Sequence, residues 1–195
     1  LQEAEISTRK AIKLNPNFAE AHSNLGGILS DPGKLEEAAL STRKAIELNP
    51  DLADAHYNLG NILKDLGNLQ KAELSTRKAI ELNPDLADAH SNLGLISFEL
   101  GKLKEAELST RKAIDLDPML SNFYFNLASI LLQLGKVNEA IDSSLKAIEL
   151  NPNEAKYHLN MGNIFRIGGK FCEAISCFKK ALEIDNSLSM AKSGL

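Results

Sequence analysis

The chain has 195 residues, of which 44% are hydrophobic, 25% charged and 5% aromatic, with a net charge of −4. This balance provides apolar surface to bury and excludes a general electrostatic pull toward nucleic acid or an anionic membrane. No apolar run approaches the roughly 20 residues that span a bilayer, and no charged-then-apolar leader opens the chain, so the expected setting is cytoplasmic.

The first predicted element is a helix over Gln2 to Leu14 that stops at Asn15-Pro16. Its pattern returns every 34 residues, and the string LSTRKAIELNPDLADAH stands unchanged at Leu40 to His56 and at Leu74 to His90. In that register five full units cover 19–52, 53–86, 87–120, 121–154 and 155–188. Residues 1–18 fit the second half of an earlier unit and 189–195 the opening of a further one, which reads as a single array, 1–195, cut from a longer protein.

Within 53–86, Ala55, Leu59, Ile62, Leu63 and Leu66 share one helical face, and Leu69, Ala72, Thr76, Ala79 and Ile80 share another. Each unit is therefore a helix-turn-helix hairpin. Counting each unit from 1, Gly33, Gly67, Gly101, Gly135 and Gly169 stand at position 15, where a residue free to take positive φ turns the chain. Pro16, Pro50, Pro84, Pro118 and Pro152 at position 32 stop the second helix. Small residues at position 8 (Gly26, Gly60, Gly94, Ala128, Gly162) and alanines at position 20 let the two helices approach closely.

These positions make the chain similar to the tetratricopeptide repeat family, with His56, Leu59, Gly60, Ala72, Ala79 and Pro84 at the six positions that define its pattern in 53–86. The resemblance implies an all-α fold, a right-handed α-solenoid of stacked hairpins whose first helices line a concave groove. Three departures are expected to matter. Pro32 should shorten the first helix of 19–52, Asn186 replaces the last proline, and Thr or Ser replaces the usual aromatic at position 24 until Phe178, thinning the core.

Position 6 is asparagine in every full unit: Asn24, Asn58, Asn92, Asn126 and Asn160. An amide carries donors and an acceptor, so a ladder of them can bond the N–H and C=O of an extended guest without reading its side chains. Resemblance to the repeat region of O-GlcNAc transferases implies such a backbone-gripping role; bonding a neighbouring helix is the plainer reading. Groove positions implied by the family place Glu20, Asp54, Asp88, Asp31 and Asp65 in an acidic first half. Phe125, Leu132, Leu159 and Ile167 make the second half apolar, and Tyr57, Asn61 and Asn163 complete the expected peptide-binding set. The implied partner is a protein or extended peptide, basic toward one end and apolar toward the other. The family's chaperone-tail receptors clamp a terminal carboxylate with lysine and arginine, but Tyr57, Asn122 and Asn126 stand where those cations belong.

His22, His56, His90 and His158 all occupy position 4, about 8 to 10 Å apart if hairpins stack, too far to share one metal, so a packing role is expected. Cys172 and Cys177 lie on different azimuths of one helix and suggest neither a disulfide nor a zinc site. The stripe Arg9-Lys10, Arg43-Lys44, Arg77-Lys78 and Arg111-Lys112 is expected to be a solvated face, with Arg43–Glu47, Arg77–Glu81 and Arg111–Asp115 as i,i+4 pairs, and not a nucleic-acid surface. No phosphate loop, activated nucleophile or isolated carboxylate pair points to catalysis, and no cofactor is expected. The sequence thus reads as a non-catalytic binding scaffold. The alternatives are the recruiting arm of a larger enzyme, such as a glycosyltransferase or sulfotransferase, and a self-assembly module acting through truncated ends.

Overall fold

A computed structural model of the chain describes residues 2–31 and 33–188; these form eleven helices and, among the described residues, no strand. In order they are α1 (Gln2–Leu14), α2 (Ala19–Ile28), α3 (Leu35–Leu48), α4 (Ala53–Asp65), α5 (Leu69–Leu82), α6 (Ala87–Glu99), α7 (Leu103–Leu116), α8 (Ser121–Gln133), α9 (Val137–Leu150), α10 (Ala155–Ile167) and α11 (Phe171–Ile184). The chain divides into two compact units, Leu1–Leu100 with α1 to α6 and Gly101–Leu195 with α7 to α11.

The turn inside a hairpin is closed by glycine. Gly67 has φ +74°, its N–H donates to Lys64 O at 2.8 Å, and Asn68 N–H donates to Leu63 O at 2.8 Å. These paired bonds satisfy carbonyls that the ending helix leaves open, and the left-handed backbone they require costs a side-chain-bearing residue about 1–2 kcal/mol. Gly135 and Gly169 repeat the arrangement. The turn between hairpins is closed by the residue before proline: Asn49 Oδ1 accepts from Asp51 N–H at 3.2 Å, Asn83 Oδ1 from Asp85 N–H at 3.2 Å, and Asp117 Oδ1 from Met119 N–H at 3.0 Å. Helix α2 has 10 residues against 13 in α4. The proline expected to cause this, Pro32, lies outside the described residues, as does the expected start of a further repeat at 189–195.

Each hairpin closes on residues too small to hold its helices apart. Ala38, Ala45, Ala72 and Ala79 are fully covered, and a methyl added at Gly60 would overlap Thr76 Oγ1. In the last hairpin the same place is filled differently, since a methyl at Gly162 would run into the Phe178 ring. Threonine beside glycine therefore packs as closely as phenylalanine beside glycine, with less buried surface.

Within Leu1–Leu100, α2 also touches α4 and α4 touches α6, whereas α3 and α5 make no comparable contact among the described residues. First helices are thus drawn together on one side and second helices are spread on the other. The same first-helix contact joins α8 to α10 in Gly101–Leu195.

Candidate peptide-binding face

The first helices carry the candidate residues, and in Leu1–Leu100 the amide donors of Asn58 and Asn92 already have partners. Asn58 Nδ2 donates to Ser23 O at 3.3 Å and contacts Ser23 Oγ at 3.2 Å, tying α4 to α2. Asn92, only 5% exposed, donates from Nδ2 to Thr76 Oγ1 at 3.2 Å and ties α6 to α5. Asn24 is exposed on α2. Tyr57 is half-buried, and burial raises its phenol above the usual range; Asn61, one turn on, hydrogen-bonds the phenol and opposes that shift, while Asp88 adds to it. Asp54 and Asp88 are exposed, leaving an acidic surface beside Tyr57.

In Gly101–Leu195 the arrangement is aromatic. The Phe125 and Tyr157 rings lie 5.2 Å apart at 32°, and Lys156 Nζ stands 5.8 Å from the first centroid and 5.4 Å from the second. Ser121 Oγ and Tyr157 OH are 3.0 Å apart. Asn126 is half-buried, and Asn163 Oδ1 accepts from Arg166 Nη2 at 3.4 Å. Asn160 Nδ2 is buried with no hydrogen-bond partner among the described residues. Leu159 packs against Ala174, Phe178 and Ala181 of α11, so part of its surface serves the hairpin core.

Sequence reasoning missed Ser121, Lys156 and Tyr157. A signal was present at position 3, where Ala21, Ala55 and Ala89 give way to Phe123 and Tyr157. It also missed what the histidines do. His22, His56, His90 and His158 each place Nε2 within 2.9, 2.8, 2.9 and 2.8 Å of the carbonyl oxygen of Pro16, Pro50, Pro84 and Pro152, six residues back. A carbonyl accepts only, so Nε2 carries the hydrogen, and each ring clamps the turn leading into its own repeat.

The arginine stripe needs correction. Arg77 and Arg111 pair back to Glu73 and Glu107, both at 2.9 Å, not forward to Glu81 and Asp115. The forward acids go to the next lysines instead: Lys44–Glu47 at 3.0 Å and Lys78–Glu81 at 2.7 Å. An acid one turn N-terminal to its cation is the better helical order. Arg43, expected to pair with Glu47, has Ala39 at the place of that acid and no ion-pair partner among the described residues.

Among the described residues no helix is long and apolar enough to cross a membrane, and no cluster of His, Cys, Asp or Glu has the geometry of a metal site. Stacked hairpins with side-chain-rich first-helix faces define the class: a helical repeat protein of the interaction type. The tetratricopeptide repeat pattern matches 53–86, 87–119 and 155–188, and a related repeat pattern matches 28–67 and 128–166. The chain belongs to the tetratricopeptide repeat family.

Solved structures agree on the fold. The chain is 25% identical to YrrB, described as a TPR protein with an unusual peptide-binding site, with a TM-score of 0.73 over 95% of this chain and 96% of that one. It is 25% identical to MamA, with a TM-score of 0.72 over 80% of this chain and 91% of that one. The match to the APC/C hetero-tetramer Cut9-Hcn1 reaches a TM-score of 0.91 over the whole of this chain, which spans 39% of its counterpart at 20% identity. A comparison with curated protein sequences finds no match.

Proposed function

We propose that this chain is a non-catalytic scaffold whose first-helix faces hold an extended polypeptide, with position-6 asparagines bonding the guest's backbone. The observation that carries the reading is Asn160. A buried amide donor without a partner costs about 1–3 kcal/mol, and a guest carbonyl removes that penalty when the amide turns outward. Beside it, Phe125 and Tyr157 offer an aromatic surface for an apolar guest side chain. In Leu1–Leu100 exposed Asp54 and Asp88 favour a basic stretch of guest, while Asn58 and Asn92 serve chiefly as braces between hairpins. The similarity to YrrB, itself described as peptide-binding, supports the same class of ligand.

The test is panning of a displayed dodecapeptide library on the whole chain, followed by titration of the selected peptides against Asn160→Ala and Phe125→Ala variants. Each variant is expected to weaken binding about tenfold, the worth of one good polar or aromatic contact. Selected peptides that bind both variants as tightly as the parent chain would remove the first-helix face from consideration.

A further inference from the structure

The outer, second-helix side of this fold carries an ion-pair device between α1 and α3 and between α7 and α9. Between α9 and α11, Ile141 and Leu145 replace its glutamate and arginine, and between α3 and α5 the arginine stays without its glutamate. Between α1 and α3, Arg9 bonds Glu5 at 2.9 Å and Glu37 at 2.6 Å, while Lys34 bonds Glu5 at 3.0 Å. Between α7 and α9 the same four positions hold Arg111, Glu107, Glu139 and Lys136, joined at 2.9, 2.7 and 2.8 Å. Lys34 and Arg9 hold the Glu5 carboxyl below its ordinary range, and Lys136 and then Arg111 do the same for Glu107 against the opposing effect of burial.

Between α3 and α5 those positions hold Ala39, Arg43, Asn68 and Lys71. Two cations stand where the α1/α3 and α7/α9 junctions have an arginine–glutamate bond, and neither has an ion-pair partner among the described residues. Ala39 lacks the carboxylate that Glu5 and Glu107 supply, and a groove of about 410 Å³ opens along Glu36, Ala39, Leu40, Arg43, Leu66 and Asn68. Leu40, 66% exposed, stands beside Arg43 on the same face of α3. Glu36 lies one turn the other way, so an anionic group is favoured at the Arg43 end and an apolar one over Leu40.

We propose that this outer groove docks an acidic peptide segment of a partner protein, whose carboxylate takes the place beside Arg43 of the glutamate missing at Ala39 while a neighbouring aliphatic side chain covers Leu40. The charge pattern selects this occupant: a basic segment meets two cations of its own sign, and a wholly apolar one leaves them unneutralised. The site lies on the helices opposite the proposed first-helix face and depends on none of its residues.

The triple variant Ala39→Glu, Asn68→Lys, Lys71→Glu places in α3/α5 the residue types of the α1/α3 quartet. Because Ala39 is buried, Arg43→Glu at an exposed position is the second variant and is expected to give the same loss of binding. Peptides selected from a displayed dodecapeptide library and eluted by high salt are expected to pair Asp or Glu with Leu, Ile or Phe. They should lose about tenfold or more in affinity on the triple variant and keep their affinity for Asn160→Ala. Raising ionic strength should weaken them on the parent chain. Salt-eluted peptides without an acidic consensus, equal binding to the rebuilt quartet, or a single-stranded oligonucleotide binding in their place would each overturn the proposal.

Discussion

In Leu1–Leu100 the Asn58 and Asn92 donors are held by neighbouring helices, whereas in Gly101–Leu195 the Asn160 donor is buried without a partner among the described residues. The difference follows from what surrounds the same amide. The small side chains of Ser23 and Thr76 offer oxygen to Asn58 and Asn92. One repeat back from Asn160, Phe125 stands at the position of Ser23 and its ring offers no acceptor, while Ser144 stands at the position of Thr76 with its Oγ likewise buried without a partner among the described residues. At position 5 a ring thus replaces the serine that braces Asn58, and the Asn160 donor is left unmatched.

The largest expected effects come from emptying position 24, which packs the hairpin core at Phe178 and braces the next repeat's asparagine at Thr76. Phe178→Ala removes a large buried ring and is expected to cost about 3–5 kcal/mol in urea unfolding. Thr76→Ala leaves the Asn92 donor buried and unmatched and is expected to cost about 1–3 kcal/mol. Equal losses would mean that the two hairpins are not packed on different principles.

A smaller effect tests the amides themselves. Asn92→Ala should destabilise by about 1 kcal/mol, while Asn160→Ala, which deletes an unmatched donor, should leave the unfolding midpoint unchanged or raise it. If both variants lose stability alike, Asn160 has a partner in solution.

The smallest effect is in pH. The depressed Glu107 carboxyl contributes stability that is fully present above the ordinary carboxylate range and is lost as pH falls through its lowered folded value. Thermal midpoints measured from about pH 6 downward should therefore fall less steeply in Glu107→Gln than in the parent chain. Identical slopes would show that the outer ion pairs are too well screened to matter.

Much of the fold was legible because it is local. The spacing of Leu59, Ile62 and Leu63, the stop at Pro84 and the turn at Gly67 each act within a few residues, and 34-residue recurrence repeats them. The candidate site was legible only as a set of positions. That Asn58 faces Ser23, that Asn92 faces Thr76, and that Arg43 has Ala39 where its relatives have glutamate, all depend on residues 16 to 35 places apart or on the absence of a side chain. Arginine pairing was misread for a related reason: several acids lay within reach, and only helix geometry with a next-door repeat chose among them.

Recurrence and punctuation in the sequence determined by themselves that the chain folds as helical hairpins, because hydrogen bonding within a helix and the backbone limits of glycine and proline are decided locally. Which asparagines brace the fold, which is left with a donor to offer, and where an outer groove opens were decided by tertiary structure alone. Those outcomes turn on the few ångströms between side chains of adjacent helices, a distance set by packing between distant residues and not by any local pattern.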